Sequence, residues 1–174
     1  YIYGEDEDSI YVNLYVSNET ETQIKGIPRK ITMDSDFLST GNVKISLRSQ
    51  EDTKGKLALR VPGYVKSFQV YRNGEEILNP LIEKGYLILE ELKEEEMITI
   101  SCDMKAKFIH ANPEVRADEG KVAIMRGPLV YCLEETDNGS NLSSLYVDTK
   151  AGLKETYVED LLGGEVSVTA IGMR

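Results

Sequence analysis

Apolar residues in this sequence recur at every second position, and that period constrains the fold more than any other feature. Ile10, Val12, Leu14 and Val16 fall on one face of an extended run, with Tyr11, Asn13 and Tyr15 on the other. Val43, Ile45 and Leu47 alternate with Lys44, Ser46 and Arg48 in the same way. Side chains of an extended chain point alternately to opposite sides, so such a pattern buries one face of a strand and wets the other. Further runs follow at 56–61, 67–72, 86–90 and 97–102, the last placing Ile98, Ile100 and Cys102 inward. Asn73-Gly74 and Lys84-Gly85 are turn signals, because these residues tolerate positive φ. Short alternating strands separated by turns predict an all-β fold, an antiparallel, jelly-roll-like β-sandwich.

The character of the chain changes after Lys107. Two strand-like runs, 121–125 and 129–133, are joined by Arg126-Gly127-Pro128, where the proline suits an edge or bulge. A boundary is therefore expected near residue 108, with a complete sandwich over 1–108 and a second, truncated β-domain over 109–174. Helical signals are weak. The best lies between Gly152 and Gly163, where Leu153, Tyr157, Leu161 and Leu162 approach helical spacing and predict one or two turns. Glu94-Glu95-Glu96 reads as a solvated connection.

Composition excludes several function classes. The 174 residues carry a net charge of −10, which repels a phosphate backbone and argues against nucleic-acid binding. No apolar stretch approaches the roughly 18 residues of a membrane span, and no signal-peptide pattern opens the chain. No membrane partner is expected, and a cytoplasmic setting is favoured. The chain opens on Tyr1-Ile2-Tyr3 without a methionine, which is expected of a piece continuing from an upstream segment. Such a piece would expose an apolar patch and could self-associate through it. Sequons at Asn18, Asn138 and Asn141 read as chance matches rather than glycosylation sites.

No motif supplies an active site. Glu5-Asp6-Glu7-Asp8 lacks the glycine and distal glutamate of a calcium loop and reads as a solvated turn. Glu114 and Asp118, flanking Arg116, are the most tempting carboxylates for glycoside hydrolysis, yet an inter-strand loop held by ion pairs explains them better. His110 is the single histidine, and no serine lies in a G-x-S-x-G setting. Cys102 and Cys132 are too isolated for a zinc cluster and are expected to be buried free thiols. No catalytic, cofactor or metal residue is assigned. Tyrosine is the abundant aromatic, with 10 residues and no tryptophan. Tyr11 and Tyr15, sharing the face opposite Ile10 and Val12, are the candidates for sugar contact; packing beneath a neighbouring domain is the other use open to them.

Several segments together carry a resemblance. They are Ser9-Ile10-Tyr11-Val12-Asn13-Leu14-Tyr15, Leu57-Ala58-Leu59-Arg60-Val61-Pro62-Gly63-Tyr64, Ala111-Asn112-Pro113-Glu114-Val115-Arg116 and the run from Gly120 to Glu134. The most specific part is Arg126-Gly127-Pro128-Leu129-Val130-Tyr131-Cys132, followed two residues on by Glu134. From Tyr1 to about Asn138 the sequence resembles the C-terminal region of glycoside hydrolase family 127, with Tyr64 standing where the family has tryptophan. The resemblance implies an upstream (α/α)6 barrel as partner, followed by β-sandwich domains that brace it, and a β-L-arabinofuranosidase-like activity on glycans. It also implies a catalytic cysteine in a zinc site built on that barrel from other cysteines and a glutamate. No residue here matches those ligands, and Cys102 and Cys132 occupy other positions of the family pattern. The resemblance therefore gives this chain an accessory role, with carbohydrate binding through exposed tyrosines as the alternative.

Overall fold

A computed structural model describes residues 1–173, and the chain divides into two compact units, Tyr1–Asp103 and Met104–Arg174. The expected break at residue 108 falls inside a strand, because Ala106–His110 pairs with Val122–Arg126 of the second unit. That ladder makes residues 106–110 part of the second unit.

The first unit is a two-sheet sandwich. In chain order its strands are β1 (Tyr3–Glu5), β2 (Ser9–Val12), β3 (Asn18–Ile24), β4 (Ile27–Asp36), β5 (Asn42–Ser49) and β6 (Thr53–Arg60). They continue as β7 (Ser67–Arg72), β8 (Glu75–Glu76), β9 (Leu81–Glu83), β10 (Tyr86–Leu92) and β11 (Glu95–Asp103). One sheet has the order β1-β2-β6-β10-β9 and the other β3-β4-β5-β11-β7-β8. All pairings are antiparallel except β2 with β6, which run parallel. These two strands are separated by three strands of the other sheet, so no hairpin forces them antiparallel.

Register builds the core. Ile10 stands opposite Leu57 and Leu57 opposite Leu89, while Val12, Leu59 and Leu87 form the next row. Facing them, Met33, Ile45 and Ile98 form one row of the second sheet, with Ile31 and Leu47 beside it. All of these are buried. Fully burying an aliphatic side chain of this size contributes about 1.5–3 kcal/mol, so the two inner faces dominate the stability of the unit.

The hairpin β3–β4 escapes the sequence pattern. β3 reads Asn-Glu-Thr-Glu-Thr-Gln-Ile, and only Ile24 gives it a buried apolar residue. Its turn, Lys25-Gly26, has positive φ at both positions, as do Asn73-Gly74 and Lys84-Gly85. All three are two-residue hairpin turns whose twist matches that of the strands they join.

One end of the sandwich is closed by buried charge. Glu96, expected in a solvated connection, instead points inward from β11 with its side chain 0% exposed. It accepts hydrogen bonds from the Arg72 guanidinium, with Nε at 3.1 Å, and from the Lys93 amide at 2.8 Å. Arg72 also donates to the carbonyls of Glu90 at 3.0 Å and Glu91 at 2.7 Å, clamping a bulge where Glu91 has φ 55°. Arg29, buried on the inner side of β4, donates to the carbonyls of Lys93 at 2.7 Å, Leu92 at 3.2 Å and Glu51 at 3.3 Å. Burial pulls the Arg29 guanidinium below its ordinary value, and the nearby Glu96 and Asp52 oppose that shift.

The second unit is also β. Strands β12 (Ala106–His110), β13 (Val122–Arg126) and β14 (Leu129–Tyr131) form a three-stranded antiparallel sheet. β15 (Tyr146–Val147) pairs with β18 (Gly172–Met173), and β16 (Leu153–Val158) with β17 (Glu165–Ala170). The helix expected between Gly152 and Gly163 is not formed: β16 occupies its first half. Thr156, Tyr157 and Val158 favour an extended chain, and the ladder to β17 overrides the loose helical spacing of the leucines.

The charge cluster gives a test. Glu96→Ala leaves the Arg72 guanidinium and the Lys93 amide without their carboxylate, removes a negative charge near the buried Arg29, and should destabilise the first unit by about 3–5 kcal/mol in urea unfolding. A loss under about 1 kcal/mol, as for an exposed ion pair, would refute the closing role assigned to Glu96.

Candidate functional site

The two tyrosines singled out from the sequence do not share a face. β2 ends at Val12, and the Asn13 amide turns to donate to the Ile2 carbonyl at 2.8 Å. Past that bend the alternation inverts. Leu14 and Val16 become 49% and 50% exposed, while Tyr15 is only 8% exposed. The Tyr15 hydroxyl donates to the Arg60 carbonyl at 2.7 Å, and its ring packs on Phe37 at 4.9 Å. Burial pushes its phenol well above the ordinary value. Tyr15 is a core residue, so the expected two-tyrosine platform is not formed.

Tyr11 does lie on the outer face of the five-stranded sheet, and its neighbour there is Tyr86 from β10. The two rings meet edge to face at 5.3 Å and 82°. Tyr86 donates to Asn13 Oδ1 at 2.7 Å, and Tyr11 donates to Asp6 Oδ2 at 2.9 Å. The other oxygen of Asp6 accepts the amides of Asp8 at 3.1 Å and Ser9 at 2.8 Å. The Tyr11 hydrogen bond is the main reason the Asp6 carboxyl lies below its usual range, and the same bond raises the Tyr11 phenol. The acidic run Glu5–Asp8 is thus a side-chain-stabilised turn that fixes a tyrosine. Tyr86 had a signal in the sequence, as the first residue after Lys84-Gly85 and in phase with Ile88.

Among the described residues, no three His, Cys, Asp or Glu side chains are placed to share a metal ion. Cys102 is buried and free; burial pushes its thiol up to about 11. Cys132 is free but exposed, contrary to expectation, because it lies just past the end of β14, where no second sheet covers it. His110, at the end of β12, is exposed.

Glu114, Arg116 and Asp118 lie in the exposed connection from β12 to β13, as an inter-strand loop. Within it Asp118 pairs with Lys121 at 3.9 Å, and among the described residues Arg116 takes no part in an ion pair. Asn112 Oδ1 accepts the Glu114 amide at 3.0 Å, and Lys121 Nζ donates to the Ala117 carbonyl at 2.7 Å.

The Arg126-Gly127-Pro128-Leu129-Val130-Tyr131 segment does structural work. Arg126 is buried, and its Nε donates to Glu155 Oε2 at 2.9 Å, while Glu155 Oε1 accepts the Ala106 amide at 2.6 Å. The Tyr131 hydroxyl donates to the Val166 carbonyl at 2.8 Å. Both contacts tie the three-stranded sheet to the β16–β17 hairpin. Gly127 has φ 54°, and a Cβ there would meet Met104 Sδ at 2.4 Å, so a side chain is unwelcome on two counts. A buried arginine was not anticipated, since β13 read only as an apolar run.

Comparison with known proteins covers nearly the whole chain. The family model described as the β-L-arabinofuranosidase GH127 middle domain matches residues 9–104. The model of the glycoside hydrolase family 127 C-terminal domain matches residues 106–171. The non-reducing end β-L-arabinofuranosidase of Bifidobacterium longum subsp. longum is 32% identical over 100% of this chain and 27% of its own length. A crystal structure of a GH127 β-L-arabinofuranosidase from Geobacillus stearothermophilus T6 is similar at TM-score 0.89 and 37% identity, over 99% of this chain and 27% of that one. A second GH127 β-arabinofuranosidase structure is similar at TM-score 0.85 and 27% identity, over 98% of this chain and 30% of that one. The chain therefore spans less than a third of the length of these relatives.

Thiol chemistry tests the placement of the cysteines. Ellman's reagent at pH 8 should titrate Cys132 rapidly in the folded chain and Cys102 only on unfolding; two fast thiols would contradict it. Alkaline stability tests the burial of Cys102. Its neutral form is favoured in the folded chain, so the unfolded chain loses that proton first as pH rises. Stability is full below about 9, the ordinary thiol value, and declines toward about 11. Urea unfolding across that window should show a shallower decline for Cys102→Ala than for the parent chain, and equal slopes would contradict it.

Proposed function

Because this chain belongs to glycoside hydrolase family 127, we propose that its two β units are the accessory part of a longer enzyme, bracing a catalytic part without an active site of their own. The observation that carries this reading is the extent of the match. Residues 9–104 and 106–171 fall within models of a middle and a C-terminal domain, and the chain corresponds to 27% of a β-L-arabinofuranosidase. The buried and hydrogen-bonded charged side chains support it, since they are engaged in structure. Glu96, Arg72 and Arg29 close the end of a sandwich, Arg126 and Glu155 join two sheets, and Asp6 anchors Tyr11.

In this reading the partner is a catalytic barrel of the same polypeptide, and the barrel holds whatever zinc the intact enzyme uses. The substrate class is a glycan bearing terminal β-L-arabinofuranose, as the relatives' names indicate. Glycan binding through Tyr11 and Tyr15 is the weaker alternative, because burial of Tyr15 removes half of the platform it requires.

Incubating the chain with aryl β-L-arabinofuranosides, with and without added zinc, is the direct test. No release of the aryl alcohol above background is expected. Turnover that persists through repurification and is lost on unfolding the chain would overturn the accessory reading.

A further inference from the structure

The two outer faces of the first unit are built differently. The outer face of the six-stranded sheet is polar across its centre. Thr32, Ser46 and Met97 form one row, and Asp34, Lys44, Thr99 and Tyr71 the next. Lys30, Arg48 and Glu95 follow, with Lys30 paired to Glu19 at 2.7 Å and Arg48 near Glu95 at 3.7 Å. Such a face is solvated at no cost and has no need of a cover.

The outer face of the five-stranded sheet has no such character in its central row. Register places Gly4, Tyr11, Ala58, Ile88 and Leu81 side by side, one residue from each strand and none charged. Tyr86 stands over the same row against Tyr11. Charge is confined to the rims. Lys56 and Glu90 pair at 3.2 Å on one side, and Arg60 and Glu83 flank Tyr86 on the other. Leu81 is 49% exposed and Tyr11, Tyr86 and Ile88 are half-buried, while Ala58 between them is fully covered and presents no surface of its own. An apolar stripe edged by charge is the pattern of a surface that meets protein, with its centre desolvated and its rim wet. Five strands at about 4.8 Å spacing make that stripe about 20 Å long, enough to seat a structural element.

We infer that this outer face, centred on Tyr11, Tyr86 and Ile88, is where the first unit seats against the further polypeptide that its relatives carry. The inference rests on the bracing reading. Its occupant is argued from length: this chain corresponds to 27% of the relatives from Bifidobacterium and Geobacillus, so most of those proteins lies outside the matched region. Met97 and Tyr71 are half-buried among polar and charged neighbours on the other face, whereas here Tyr11, Tyr86, Ile88 and the exposed Leu81 adjoin one another, so covering this face removes more apolar exposure. The Tyr11 and Tyr86 hydroxyls are already bonded to Asp6 and Asn13, so the rings are fixed before any partner arrives.

The test compares Ile88→Lys with Thr99→Lys, the corresponding change on the polar face, in this chain alone and in the longer polypeptide. In the chain alone, both should shift the melting temperature by no more than about 2 °C, as surface substitutions do. In the longer polypeptide, Ile88→Lys should lower the melting temperature by about 6 °C or more, because it puts an unpaired charge into the covered stripe, while Thr99→Lys stays within about 2 °C. Equal shifts for the two substitutions in the longer polypeptide would overturn the choice of face and leave the bracing reading intact. Independent melting of the β units in the unsubstituted longer polypeptide would overturn the bracing reading itself. Calorimetric binding of arabinofuranosyl oligosaccharides to this chain, abolished by Tyr11→Ala, would identify the stripe as a glycan site and overturn the inference.

Discussion

The first unit depends on the closing of two rows of aliphatic side chains on one another. Ile10, Val12, Leu57, Leu59, Leu87 and Leu89 of one sheet face Ile31, Met33, Ile45, Leu47 and Ile98 of the other, and all are buried. Because side chains on a strand alternate, fixing the inner rows fixes the outer ones. Tyr11 and Ile88 are displayed outward only because Ile10 and Leu87 are held inward. A one-residue slip of β6 would turn Leu57 and Leu59 to the outer face, so the interior determines what the sandwich presents.

Buried charge plays a second, narrower part. Arg72 holds the Glu90–Leu92 bulge through two carbonyls and Glu96 through its carboxylate, and Arg29 gathers the carbonyls of Leu92, Lys93 and Glu51. The carbonyls of Glu90, Glu91 and Leu92 lie at the bulge of β10 and those of Glu51 and Lys93 in connections, places where the ladder is interrupted, so the guanidinium groups replace missing strand partners. Removing either arginine would strand polar groups inside the sandwich. The Arg126–Glu155 pair does the same in the second unit, where small sheets leave less apolar area to hold the hairpin β16–β17 in place.

Both clusters bear on function by elimination. Glu96, Arg72, Arg29, Arg126 and Glu155 are engaged in holding the fold, and Cys102 is sealed with its thiol protonated. What the chain offers outward is a shape and a pair of contrasting faces, in keeping with an accessory part of a longer glycoside hydrolase.

Much of this was legible in the sequence. Period-two alternation and the Asn73-Gly74 and Lys84-Gly85 turns are local properties of the chain, and they determined an all-β sandwich and most strands of its core. The family resemblance was legible for the same reason, since Arg126 to Glu134 is one contiguous run. Tertiary structure decided what depends on partners distant in sequence. The polar strand β3 is a strand only because β4 pairs with it, and β16 is extended only because β17 does. Tyr15 turned inward because β2 ends at Val12 and the Asn13 amide bonds to Ile2, inverting the alternation. Glu96 is buried because Arg72, 24 residues away, supplies a countercharge that no local pattern announces. Alternation tells which residues share a face; only the packing of sheets and the placing of countercharges decides which face is the inside.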